Sequence, residues 1–93
     1  MDPKLHVALA EVGRPHGVSG ELRLKVYNLD SQHLWGQREL RVVSAAGEAR
    51  TMRVASLREV PGGALLRLEG VSSREQAEAL RGARIEVPRE ALE

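Results

Sequence analysis

Residues Glu11 to Tyr27 read EVGRPHGVSGELRLKVY, and this stretch decides the fold prediction. Its second half, Glu21 to Tyr27, alternates apolar and polar residues, which is typical of a strand with one buried face. Its first half contains one proline and Gly13, Gly17 and Gly20, and glycines can adopt the positive φ angles that a chain reversal needs. The stretch therefore predicts a turn that leads into a half-buried β-strand.

Short strand-like segments continue on both sides of this stretch. With Glu21 to Tyr27 as the second strand, the other predicted strands are Leu5 to Val12, Leu40 to Ser44, Arg50 to Val60, Ala64 to Glu69 and Ala83 to Pro88. A change in apolar parity within the fourth strand predicts a bulge near Ala55 or Ser56. Asn28 to Gly36 is expected to form a loop with one helical turn.

One helix is predicted, from Ser73 to Arg81, because Ser72 or Ser73 can cap its start and Gly82 can end it. Short strands, glycine-rich turns and a single small helix favour an all-β fold, a six-stranded and mainly antiparallel closed β-barrel. Side chains fill a barrel of this size, so no cofactor cavity is expected. The predicted core consists of Leu22, Leu24, Val26, Val54, Leu66, Leu68, Leu80 and Val87.

The composition is that of one globular domain. The chain has 93 residues, 14 basic and 13 acidic side chains, a net charge of +1 and no cysteine. The near-neutral charge does not predict a broad basic field for nucleic acid, and two aromatic residues cannot form a platform for stacked bases. Because no apolar run could span a membrane and the N-terminus carries charges, we expect a cytoplasmic protein with no membrane partner.

Catalytic and metal-binding patterns are missing from the sequence. The glycines precede a strand instead of a helix, so they fit neither a phosphate-binding loop nor a dinucleotide fingerprint. The histidines His6, His16 and His33 lack the spacing of metal ligands. Ser19, His16 and Glu21 supply the residue types of a triad but lie within one turn. We therefore expect no enzyme, no catalytic residue, no metal and no cofactor.

Several cations are predicted to face outward from the strands. They are Arg23, Lys25, Arg41, Arg53 and Arg67. The simpler interpretation is a solvated barrel exterior, since glutamates alternate with these cations along the chain. A stripe that contacts phosphate groups is the alternative.

Two segments resemble the N-terminal domain of the RimM family of ribosome maturation factors. Residues 12–21, VGRPHGVSGE, are similar to the family's opening pattern, in which a glycine, an aliphatic residue and a variable residue precede Gly-Glu and a strand. Residues 70–82, GVSSREQAEALRG, resemble a later segment of the family that ends in Leu-Arg-Gly before another strand. Both matches occur in the family's order, and from the first to the second they span nearly the whole chain.

The resemblance implies a barrel like those of translation factors and a non-enzymatic, monomeric protein. Such a protein would assist assembly of the small ribosomal subunit and processing of its rRNA by binding a ribosomal protein of the subunit head, with the rRNA backbone as a further contact. It also implies that residues 1–93 form the N-terminal domain and that a C-terminal PRC-type barrel is absent from this chain.

The partner-binding residues expected from this resemblance lie in the glycine-rich turn and the strand after it. They are Arg14, His16, Gly17, Ser19, Gly20, Glu21 and Arg23. Two other functions stay open at this point. One is a stand-alone RNA-binding β-barrel, and the other is a flavin- or reductase-type barrel module.

Overall fold

The computed structural model describes residues 6–27 and 34–88. Within them the chain forms β1 (His6–His16), β2 (Glu21–Val26), β3 (Glu39–Val43), β4 (Ala49–Val60), β5 (Gly63–Leu68), α1 (Arg74–Ala79) and β6 (Arg84–Pro88). The strands close into a barrel in the order β1-β2-β5-β4-β3-β6, and each neighbouring pair is antiparallel. The predicted all-β barrel with one short helix is confirmed.

Strand β1 is longer than the sequence predicts. It was expected to end at Val12, but it continues to His16 after a bulge between Val12 and Pro15. The bulge takes up one extra residue of β1, so pairing with β2 resumes at Pro15 and ends with His16 opposite Glu21. Gly13, which was expected to permit a positive φ, is not among the residues with one. The chain therefore reverses direction within four residues, Gly17 to Gly20.

The predicted irregularity in β4 is present. Its register against β5 shifts between Val54 and Ser56, so Val54 and Leu57 both point toward the barrel interior. Such a bulge increases the local twist of a strand and helps a small sheet to close. At the other end of β4, the Ser44 hydroxyl accepts a hydrogen bond of 3.1 Å from the Glu48 amide and holds the turn from β3.

The core fills the barrel with aliphatic side chains. Leu22, Leu24, Leu66, Leu68 and Val87 are buried as predicted. The other three predicted core residues, Val26, Val54 and Leu80, are half-buried and pack against the cluster instead, because they lie at the ends of their elements or beside the bulge. The core cluster also contains buried residues that were not predicted from the sequence: Ala10, Val12, Leu34, Leu40, Val42, Ala64, Val71, Ala77, Ala83 and Ile85.

Helix α1 is short, and its start is well capped. Ser73 is the N-cap, and its hydroxyl accepts a 3.2 Å hydrogen bond from the Gln76 amide. The Gln76 side chain in turn accepts a 2.8 Å bond from the Ser72 amide. This exchange satisfies backbone donors that the first turn leaves free. The helix spans Arg74–Ala79, slightly less than the predicted Ser73 to Arg81.

The expected helical turn in Asn28 to Gly36 lies mostly outside the described residues, as does His33. Leu34 is buried in the core and Trp35 packs against it.

Candidate partner-binding end of the barrel

The Gly17–Gly20 turn joins β1 to β2 at the end of the barrel that also carries α1. Gly17 has φ +74° and open space around its Cα, whereas Gly20 has φ +93° and lies against Val71 and Ser72. The prediction that the turn glycines adopt a positive φ is therefore confirmed for Gly17 and Gly20. Glycine is needed at these positions because a positive φ strains any residue that carries a Cβ atom.

The segment around α1 holds this turn in place. Nη1 of Arg74 lies 3.3 Å from the carbonyl oxygen of Gly17, to which it donates a hydrogen bond. The backbone of Val71 fills the space where a Gly20 side chain would be. The two family-like segments, residues 12–21 and 70–82, are thus packed against each other.

A second set of contacts ties the end of the helical segment to β1. The Gly82 amide donates a 2.8 Å hydrogen bond to the Val12 carbonyl, and the Val12 amide donates one of 2.8 Å to the Ala83 carbonyl. These bonds fasten the chain after α1 beside the bulged part of β1. The hairpin end is therefore braced on one side by the whole segment from Val71 to Ala83.

Four of the expected partner-binding residues are exposed on this end. They are Arg14, His16, Gly17 and Ser19. Val18 is also exposed, with 79% of its surface accessible at the tip of the turn. Val18 is not among the residues predicted from the sequence, although an aliphatic residue between two turn glycines is a signal that could have identified it. The turn thus presents an apolar tip with polar neighbours.

The three remaining expected residues are placed differently. Gly20 is buried beneath the turn, where it sets the backbone path. The Glu21 carboxylate lies 3.6 Å from Nη2 of Arg58 on β4. Nη2 of Arg23 donates a 2.9 Å hydrogen bond to the carbonyl of Pro61. Glu21 and Arg23 therefore lie on the side of the barrel, next to the turn but not at its tip.

One groove of about 250 Å³ lies between α1 and β4. Its lining consists of Arg50, Met52, Gly70, Val71, Gln76, Ala79 and Leu80. It contains one cation and no acid, histidine or nucleophile, so it offers no arrangement for acid–base or covalent catalysis.

Residues 6–27 and 34–88 contain no group of three or more histidine, aspartate or glutamate side chains that could hold a metal ion. No helix in these ranges is long and apolar enough to cross a bilayer.

The geometry defines a class of protein: a small closed antiparallel β-barrel that displays one braced hairpin end. A family model described as the RimM N-terminal domain matches residues 7–92. The chain therefore belongs to the RimM family of ribosome maturation factors, and the part of that family it matches is the N-terminal domain.

Individual relatives agree with this assignment. The chain is 44% identical over 87 residues to the ribosome maturation factor RimM of Sorangium cellulosum, covering 94% of this chain and 51% of the relative. It is 40% identical over 88 residues to that of Myxococcus xanthus, covering 95% of this chain and 47% of the relative. The chain thus spans about half the length of these relatives.

Solved structures share the fold. The solution structure of the N-terminal domain of RimM from Thermus thermophilus superposes with a TM-score of 0.71 at 25% identity, covering 95% of this chain and 94% of that one. The crystal structure of a putative 16S ribosomal RNA processing protein RimM from Pseudomonas aeruginosa gives a TM-score of 0.81 at 22% identity, covering 91% and 51%. The second likeness shows the fold alone.

Proposed function

We propose that this chain is the part of a ribosome maturation factor that binds a ribosomal protein of the small-subunit head. Through this contact it assists assembly of the subunit and processing of its rRNA, without catalysing a reaction. The observation that carries the proposal is the contact between the two family segments, residues 12–21 and 70–82. Together they hold an exposed turn in one conformation.

A braced turn is suited to binding because its conformational entropy is already reduced before the partner arrives. Val18 offers an apolar contact at the tip, and Arg14, His16 and Ser19 surround it with polar groups. An apolar centre with a polar rim is the usual anatomy of a protein interface. The backbone of Gly17 permits close approach, since nothing lies within 4 Å of the position of a Cβ there.

The supporting side of the interface would be Glu21 and Arg23. Both are engaged within the barrel, Glu21 with Arg58 and Arg23 with Pro61, so they can hold the adjoining surface in a defined shape. Charges at the rim of an interface affect the association rate and its salt dependence more than the affinity. Gly20 contributes to the site through the path of the turn.

In the whole protein we expect a second β-barrel, of the PRC type, to follow this domain. The RimM relatives are about twice as long as this chain, which leaves room for it. The proposal assigns the turn of residues 14–21 to this domain's own contact, and the isolated chain, which we expect to be monomeric, is sufficient to test it.

The experiment is a titration of the isotope-labelled chain with a purified head ribosomal protein, followed by NMR. Shift changes are expected to concentrate at residues 14–21. His16→Ala, Val18→Ala and Arg14→Glu should each weaken binding. Arg38→Glu is the matched control for Arg14→Glu, because Arg38 is also exposed but precedes β3, which pairs with neither β1 nor β2.

Three outcomes would contradict the proposal. Equal effects of Arg14→Glu and Arg38→Glu would move the docking surface away from the turn. An absence of binding to any head protein, with binding to RNA alone, would favour a stand-alone RNA-binding barrel. The flavin- or reductase-type alternative predicts a coloured cofactor in the purified protein, so a visible absorption band would support that alternative instead.

A further inference from the structure

The charged residues are distributed unequally among the strands of the barrel. Strands β2, β5 and β4 are consecutive in the ring and carry six basic and two acidic side chains, a net charge of +4. Strands β3, β6 and β1 carry three of each and are neutral together. The whole chain has a net charge of only +1. One side of the barrel is therefore strongly basic, although the composition is balanced.

Five of the six cations lie on the exterior of these strands, and we call them the basic face. They are Arg23, Lys25, Arg53, Arg58 and Arg67, and all are exposed. The sequence-based outward set also contained Arg41, but Arg41 lies on β3, where its Nε is 3.3 Å from the Glu86 carboxylate. On the neutral side Glu86 pairs with both Arg41 and Arg84, whereas the basic face has an excess of one sign.

Leu65 lies in the middle of the basic face. Its register partners are Arg23 on β2 and Arg58 on β4, and only 3% of its surface is accessible. Leu65 does not belong to the interior core cluster. As cross-strand neighbours, the two arginines are placed to cover Leu65 with their aliphatic stems while their guanidinium groups stay in water.

Few carboxylates neutralise the basic face. Glu21 pairs with Arg58 at 3.6 Å, and Glu69 lies 3.9 Å from Arg53. Lys25 faces Glu11 across β1 and β2 but forms no ion pair within 4.0 Å with a described residue, and Arg67 likewise has no ion-pair partner in the described part of the chain. Cations without partners attract an external anion at little desolvation cost.

We propose that the basic face binds the sugar–phosphate backbone of RNA. Strands β2, β4 and β5 contain no aromatic residue, and the one large apolar residue in the middle of the face is already covered. Tyr27, which follows β2 and is 51% exposed, is a single ring at the edge of the face. The face therefore lacks the central anchor that a protein interface would bury and the row of rings on which successive bases stack. Guanidinium groups match phosphate geometry through paired hydrogen bonds. The contact is consequently electrostatic and independent of sequence.

This inference deepens the proposed function and rests on it only for the choice of RNA as the polyanion. The turn of residues 14–21 would bind protein, and the adjoining face would contact nearby RNA. The test contains RNA and no ribosomal protein. Failure of RNA binding would leave the protein contact standing, and failure of the protein titration would leave the RNA result unaffected.

The experiment measures fluorescence anisotropy of a labelled RNA hairpin of mixed sequence at several salt concentrations. We expect dissociation constants of about 1–100 µM at physiological salt and a log–log salt slope of about −0.9 for each phosphate contact. The double variant Lys25→Glu/Arg67→Glu should weaken binding at least about tenfold and flatten the slope by about 2. The milder Lys25→Gln/Arg67→Gln pair should weaken it by an intermediate factor, and it replaces the first pair if that pair does not fold.

The control is Arg81→Glu/Arg84→Glu, which changes the net charge by the same amount. Arg81 follows α1 and Arg84 lies on β6, and both side chains are about half exposed. This variant should change the affinity by less than about threefold. Equal losses in the two double variants, no loss in either, or displacement of the RNA by polyglutamate at equal charge concentration would overturn the proposal. Circular dichroism spectra and melting curves of each variant show that the fold is retained.

Discussion

Gly20 lies directly against the backbone of Val71: a methyl group added to its Cα would lie 2.5 Å from the Val71 carbonyl oxygen. Gly20 belongs to the first family-like segment and Val71 to the second. Because the approach involves two backbones, no side-chain rotation can make room. This contact unites two distant parts of the sequence into one end of the barrel.

The Gly20 contact predicts a large cost for Gly20→Ala. The φ of +93° alone should cost about 1–2 kcal/mol, and the clash with Val71 should raise the loss of unfolding free energy to about 2–5 kcal/mol. Gly47→Ala is the matched control, because Gly47 has φ +92° but open space around it. Chemical denaturation of both variants measures the difference. Equal losses would show that Val71 does not restrict Gly20.

Two adjacent residues of β2 point to opposite sides of the strand, so we expect their substitutions to have different effects on the unfolding free energy. Leu24 is 1% exposed in the core, whereas Lys25 points outward. Leu24→Ala should lower the unfolding free energy by about 2–5 kcal/mol through lost burial and a cavity. Lys25→Ala should cost less than about 0.5 kcal/mol. Urea titrations followed by circular dichroism measure the two losses. Similar losses would contradict the assignment of Leu24 to the inward face of β2 and Lys25 to the outward face.

The hydrogen bond from Arg74 to Gly17 is expected to hold the turn in place. Arg74→Ala removes the hydrogen bond to the Gly17 carbonyl, which should cost about 1 kcal/mol or less because the contact is exposed. Amide hydrogen exchange near Gly17 to Gly20 should accelerate, with little change in the core strands. Arg81→Ala serves as the control, since Arg81 pairs with Glu78 on the helix instead. Unchanged exchange in the turn would argue that Arg74 does not brace it.

The exterior of β2 and β5 predicts a structural role for Arg23. Arg23→Ala removes a hydrogen bond to Pro61 and uncovers Leu65, so it should cost about 1 kcal/mol. Arg67→Ala should cost less than about 0.5 kcal/mol, because Arg67 has no ion-pair partner in the described part of the chain. Thermal melts of the two variants make the comparison. A larger loss for Arg67→Ala would contradict this account of the basic face.

Local features of the barrel were predictable because they depend on neighbouring residues. Alternation in Glu21 to Tyr27 identified β2 and its buried face, and the two candidate caps, Ser72 and Ser73, identified the start of α1 to within one residue. The parity change near Ala55 identified the bulge in β4. Gly17 and Gly20 were identified for the same reason, since a positive φ is a property of single residues.

The extension of β1 to His16 could not be predicted from the neighbouring residues alone. Val12 to Pro15 contains a glycine and a proline that resemble the start of a loop, and only pairing with β2 across a bulge makes this segment a strand. Val54 and Leu80 were placed in the core by their pattern, but their position near a bulge and a helix end leaves them half-buried. Burial depends on which residues pack over a side chain, and the spacing of apolar residues along one strand or helix does not show that.

The sequence by itself determined six strands, one capped helix and a glycine-rich turn with polar residues on it. Only the tertiary structure decided that Val71 and Arg74 brace this turn and that the cations of β2, β4 and β5 share one side. Alternation assigns each residue to the inside or the outside of its own strand. The order of strands around the ring depends on pairings between distant segments, and that order brings charges far apart in the chain onto one surface.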